Sequence, residues 1–137
     1  MLNKKTETLS NLFLDGFIQA NYCHKTLFKS EMTDNDQTKN LNLMCSLAYL
    51  TEAHTLFTTA KIFLSENKDT LGCYLEFDNL IHQFFVFNKE VLDNIRTNHS
   101  HQWSDIEFRE LAKAFRSLGN ILDINNLENI VEKALNE

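Results

Sequence analysis

The chain has 137 residues, no proline, three glycines and a formal net charge of −6, a length that fits one domain able to bury a single core without metal or disulfide staples. The scarcity of helix breakers, with leucine, phenylalanine, asparagine and lysine plentiful, argues for an all-α domain spanning residues 1–137. The acidic balance repels nucleic acid as a whole, so any RNA or DNA contact needs a local basic patch acting against the global field.

Helical spacing of Leu9, Leu12, Phe13, Phe17, Ala20 and Leu27 predicts a first helix from about Thr8 to Lys29. The polar stretch Ser30 to Asn40 breaks the pattern and reads as the longest loop. A second helix is expected from about Leu41 to Leu64, with Leu41, Met44, Cys45, Ala48, Leu56, Ala60 and Phe63 on one face and Glu52 falling on that face. After a turn at "SENKDT", Asp69 or Thr70 offers an N-cap for a third helix from about Leu71 to Asn98. That helix carries two apolar stripes, one of Leu71, Leu75, Ile81, Phe85, Leu92 and Ile95, the other of Phe77, Leu80, Phe84, Phe87 and Val91. It is therefore expected to be sandwiched, either by helices of the same chain or by a second copy.

A fourth helix opens at "SDIEF", where Ser104 and Glu107 have capping-box spacing. Phe108, Leu111, Phe115, Leu118 and Leu122 form its core stripe, and Arg109, Lys113 and Arg116 repeat on a neighbouring face. A short fifth helix from about Asn126 to Leu135 closes the chain. The expected architecture is a four-helix up-down bundle with a short C-terminal fifth helix.

Three cysteines, Cys23, Cys45 and Cys73, sit among apolar residues, which predicts reduced core thiols in a cytoplasmic protein. Cys23-His24 hints at a metal pair, but no CxxC or HxxxH spacing accompanies it, and neither a metal nor another cofactor is assigned. The N-terminal "MLNKKTETLSNLF" lacks the apolar run of a signal peptide, and no later run reaches membrane length, so no membrane association is expected.

The junction of the third and fourth helices reads "DNIRTNHSHQW", with Arg96 in the last turn of one helix and His101 just before the next. Charge at a helix C-terminus stabilises the macrodipole, and a histidine in a connecting loop is common, which are the structural explanations for the two. The segment also resembles the signature of the HEPN superfamily, small all-helical domains with an Arg-x(4–6)-His motif at the end of a core helix. "RTNHSH" supplies Arg96, four residues and His101, and "SDIEFRELAKAFRSLGNIL" matches the amphipathic helix that follows. The first half of the chain matches in helical character only. Where some members continue to Arg-x4-His-x-Tyr, this chain has Trp103, and Thr97 follows the arginine where asparagine is frequent.

The resemblance implies a metal-independent endoribonuclease of a toxin or phage-defence type, working as a homodimer with two motifs facing one cleft, and in some cases held by an antitoxin protein. RNA carries its own nucleophile, the 2′-hydroxyl, so cleavage needs alignment, a base near neutral pKa and positive charge on the developing phosphorane. His101 is the expected base and Arg96 the phosphate stabiliser. His99 is the competing base, and Asn98 is placed to position a histidine or a phosphate oxygen; both read equally as solvated loop residues. Asp93 either orients Arg96 or forms a surface pair with it. Trp103 either stacks on a base or covers the end of the core, the core being favoured. Arg109, Lys113 and Arg116 form the most basic surface near the motif, although a solvated face explains them as well. The rival reading is a non-catalytic helical interaction module, an inactive HEPN-like protein or a phage-encoded inhibitor binding a protein partner, and the acidic charge favours it.

Overall fold

Without proline, nothing in the chain interrupts an i→i−4 ladder from within, and the computed structural model, which describes residues 4–71, 74–98, 100–122 and 124–136, consists of five α-helices: α1 Lys4–Glu31, α2 Asp36–Glu66, α3 Tyr74–Thr97, α4 Gln102–Arg116 and α5 Leu127–Asn136. No strand occurs among the described residues. α1 packs most extensively on α2 and α3 on α4; α2 also meets α3, α1 meets α4, and α5 lies on α4. No helix among the described residues is long and apolar enough to cross a membrane.

The loop expected over residues 30–40 shrinks to 32–35. Asn35 takes an extended conformation and its side-chain oxygen accepts the Thr38 N–H at 3.0 Å, while Asp36 supplies acidic charge to the first turn. The cap starts α2 about a turn and a half before its first apolar residue, which hydrophobic spacing had no means of registering. At the other end, the Asn67 N–H bonds the carbonyls of Phe63 and Leu64, and its side-chain amide donates to Phe63 O at 2.9 Å. Thr70, expected among the caps of α3, instead closes the turn that follows α2: its N–H and hydroxyl both bond Asn67 O. Asp69 likewise lies several residues short of Tyr74, where α3 begins.

The core is rich in phenylalanine. Phe13, Phe17, Phe57, Phe77, Phe84, Phe87, Phe108 and Phe115 are all fully buried. Phe13 touches the rings of Phe57 on α2 and Phe77 on α3, with centroids 6.0 and 5.9 Å away, and Phe57 stacks on Phe84 at 4.2 Å. One turn along α1, Phe17 stacks on Phe115 and Phe108 of α4 at 4.7 and 5.6 Å. Each such pair adds about 0.5–1.5 kcal/mol to the burial of its area.

The expected stripes of α1 and α4 lie in the core, with Leu12 half-buried, but α4 ends at Arg116, so Leu118 and Leu122 are buried from the turns that follow it rather than from the helix. On α2 the buried row is instead Ser46, Leu50, Ala53, Phe57, Ala60 and Leu64. Leu41, Met44, Cys45 and Ala48 are exposed, as is Glu52, which therefore leaves the apolar face. Apolar residues surround much of α2, so spacing alone could not choose among its faces; the close approach of α1 at Gly16 does. Cys45 is accordingly no core thiol, whereas Cys23 is buried and its thiol pKa is pushed up to about 12 by burial. Cys73 lies outside the described residues.

On α3 the stripe Phe77, Leu80, Phe84, Phe87 and Val91 is buried throughout. The other is split: Leu71 and Ile81 are buried, Phe85 and Ile95 half-buried, and Leu75 and Leu92 exposed, Leu75 at 80 %. Ser104 does not cap α4. It lies within the first turn, where its buried hydroxyl accepts a 2.9 Å hydrogen bond from the Asn94 amide, and the capping position falls to His101.

Gly16 tests the packing. A Cβ there would meet Phe57 Cε2 at 2.8 Å and Cδ2 at 3.0 Å, and the Phe57 ring is backed by Phe84. Alanine gains about 1 kcal/mol of helix propensity over glycine, but overpacking against a ring that has no room costs about 1–3 kcal/mol. The urea midpoint of Gly16→Ala should therefore fall with helicity unchanged; a rise would mean that the ring gives way.

Candidate functional site

α3 stops because the chain turns left-handed at Asn98, with φ 57°, a conformation that asparagine tolerates better than most residues. The Asn98 N–H closes on Ile95 O at 3.3 Å. At His101 the chain enters α4: the His101 carbonyl receives the Asp105 N–H at 3.0 Å, and its own N–H donates to the Glu31 carboxylate at the end of α1. His101 is thus fixed between two helix ends. Its residue is 6 % exposed and its Nδ1 is buried without a hydrogen-bond partner. His101 borders a cavity of about 190 Å³ that Glu31, Lys39, Asn94, Asn98 and Ser100 also line. Burial pushes the His101 pKa below the ordinary 6.5; the Glu31 carboxylate opposes this and the Lys39 ammonium reinforces it. The imidazole is therefore neutral at pH 7, the form in which it can accept a proton.

Of the residues singled out in sequence, Asn98 and His101 share this cavity. Arg96 does not line it: the side chain is 74 % exposed, with Nη2 3.5 Å from Asp93 Oδ1. Asp93 and Arg96 form a surface pair, one of the two roles weighed for Asp93. His99 lies outside the described residues. Trp103 is 58 % exposed, so it does not cover the core as favoured. The stripe on α4 is largely neutralised by neighbours: Arg109 Nε bonds Asp105 Oδ2 at 3.1 Å, and Arg116 pairs with Glu128 at 3.3 Å and Glu132 at 2.7 Å. Lys113 lines a separate hollow beside Glu110 and Gln83.

Sequence reasoning missed Glu31, Lys39 and Asn94. The first two fall within the polar stretch of residues 30–40, which carries no apolar periodicity. Asn94 carried a faint signal as a polar residue three positions after Val91, on the buried face. It also set His24 aside. On α1 the His24 ring stacks on Phe108 at 4.2 Å and meets Phe28 edge-on at 4.9 Å, and its Nε2 lies 2.9 Å from Asp105 Oδ1. The contact has ion-pair distance, yet burial lowers the His24 pKa more than Asp105 raises it. The contact is therefore a hydrogen bond from a neutral Nε2–H to the carboxylate, which leaves the Nδ1 lone pair buried without a partner. Among the described residues no three His, Cys, Asp or Glu side chains converge as metal ligands do. No family model, curated protein or solved structure matches this chain.

Both histidines titrate in the fold below their ordinary 6.5, so as pH falls through that value the unfolded chain binds protons first and stability is lost. The urea midpoint should be level above about pH 7.5 and decline towards about pH 5.5, before the carboxylates titrate. His101→Asn should flatten part of that slope. A midpoint independent of pH across this window would mean that both rings take up protons freely in the folded chain.

Proposed function

We propose that the chain is a HEPN-like, metal-independent endoribonuclease acting as a homodimer, its α1 to α4 forming an up-down four-helix bundle and α5 a short addition. The observation that carries this reading is His101: neutral by burial, its Nδ1 unpartnered, held at the α3–α4 junction five positions after an arginine whose guanidinium faces solvent. The closed ring of contacts α1–α2–α3–α4–α1 is what such a bundle requires. Exposed Leu75 and Leu92 on the second stripe of α3 give a second copy apolar surface to cover.

In this reading His101 takes the proton of the RNA 2′-hydroxyl as its oxygen attacks phosphorus. The bond to the 5′-oxygen breaks, that oxygen takes a proton from water, the hydroxide so formed takes the proton back from the His101 imidazolium, and the products are a 2′,3′-cyclic phosphate and a 5′-hydroxyl. Arg96 of the same chain lies outside the His101 cavity, so in this reading the phosphate charge is met across the dimer by Arg96 of the partner subunit. Asn98 orients phosphate or imidazole, Trp103 offers an exposed face for a base, and His99 is the alternative base. Arg109, Lys113 and Arg116 would guide the RNA backbone only as far as their acidic neighbours allow. A cytoplasmic toxin or phage-defence setting, with an antitoxin as protein partner, belongs to the same reading.

A second reading, the non-catalytic interaction module, is favoured by one specific observation: Arg96 lies outside the His101 cavity and is paired with Asp93. The assay separates the two. The purified protein should cut single-stranded RNA in chelator, and a 2′-deoxy substitution at the cut should block it. Arg96→Ala and His101→Ala should each abolish cleavage with dimer mass and helicity kept, His99→Ala should cost less, and mixing the two inactive variants should restore part of the activity through composite sites. A clean monomer without cleavage across varied RNAs, after any bound antitoxin is removed, hands the chain to the module reading.

A further inference from the structure

A second cavity, of about 440 Å³, opens between α1, α4 and α5. It is more than twice the volume of the one beside His101 and within the range of small-molecule sites, about 300–1,000 Å³. Neither Arg96 nor His101 borders it. One wall is the chain His24–Asp105–Arg109; Phe28, Met32 and Leu135 supply apolar lining, and Lys25 and Lys29 add two ammonium groups.

We propose that this cavity binds a small organic anion with an apolar body, a medium-chain monocarboxylate being the simplest member of the class. Arg109 and Lys29 receive the carboxylate, and Phe28, Met32 and Leu135 receive the hydrocarbon.

Charge is the first argument. In a chain of net charge −6, Arg109 and Lys29 line this cavity beside a single carboxylate among the described residues, Asp105. Both Asp105 oxygens are already engaged, Oδ1 by His24 and Oδ2 by Arg109. Arg109 uses only its Nε in that bond, so the two terminal amino groups remain to fork a second carboxylate. The lining is the second argument. Met32 stands just past the end of α1, 84 % exposed, and a hydrocarbon laid against it removes apolar area from water. Its unbranched thioether adapts to the occupant. A bare inorganic anion would use the charges and waste these contacts.

The probe is octanoate, with 1-octanol and inorganic phosphate as the arms that carry only one half of the chemistry. Titration calorimetry on the full chain should give saturable 1:1 binding of octanoate, with octanol and phosphate each about tenfold weaker or more. Lys29→Glu, an exposed position, should weaken octanoate about tenfold without moving the urea midpoint; Arg109→Gln should weaken octanoate by a similar factor, and Arg116→Ala should not. Bound octanoate should also raise the His24 pKa, read from its ring-proton shifts, whereas octanol should leave it in place. No octanoate binding, octanol or phosphate binding as tightly as octanoate, or equal octanoate affinity in Lys29→Glu would each overturn the proposal. Lys29 has no part in the ribonuclease reading, so failure of one does not mimic failure of the other.

Discussion

The antiparallel register of α1 on α4 is the constraint from which both polar sites follow. Phe17, His24 and Glu31 repeat every seven residues along α1, about 10.5 Å apart at 1.5 Å per residue. They meet α4 in descending order: Phe17 stacks on Phe115 and Phe108, His24 stacks on Phe108 and bonds Asp105, and Glu31 accepts the His101 N–H. The phenylalanines fix the alignment by area and shape. The polar groups beyond them then find partners that would be a turn out of reach in any other register. A one-turn slip would leave His24 against the apolar row and the first amide of the junction without its carboxylate.

This dependence explains what the sequence could disclose. α4 was legible because its apolar residues lie on one side, as was α1. α2 was not, because leucine, methionine and alanine surround it and the choice of face belongs to Gly16 and Phe57, whose fit appears only when two helices meet. The Ser104–Glu107 spacing imitated a capping box for a related reason. Ser104 does bond a polar partner near the helix start, but the partner is the Asn94 side chain of the preceding helix rather than a backbone amide.

The candidate site divides in the same way. Arg96, Asn98 and His101 are neighbours in sequence, so their placement at one junction was readable. Burial sets the direction of the imidazole pKa, and the charges that modulate it come from Glu31 and Lys39, some sixty to seventy positions earlier, with no local pattern to connect them. The His24–Asp105 bond spans 81 positions and was equally hidden. Its residues look like an incidental histidine on one helix and an ordinary first-turn acid on another. Burial then reverses the usual expectation for such a pair: the stack on Phe108 removes the water that an imidazolium would need, so a contact of ion-pair length joins a charged group to a neutral one.

The opening turn of α2 has a dynamic corollary. Residues 36–40 bury almost nothing, so this turn persists through the Asn35 cap and local hydrogen bonding rather than through packing. Helix ends of this kind fray, opening far more often than the core and exchanging their amide hydrogens quickly. Lys39 rides on that turn and is one of the two charges facing His101. Unwinding of that turn would remove a charge that lowers the ring's proton affinity, so the protonation of His101 is tied to the integrity of the α2 N-terminus as well as to its own burial.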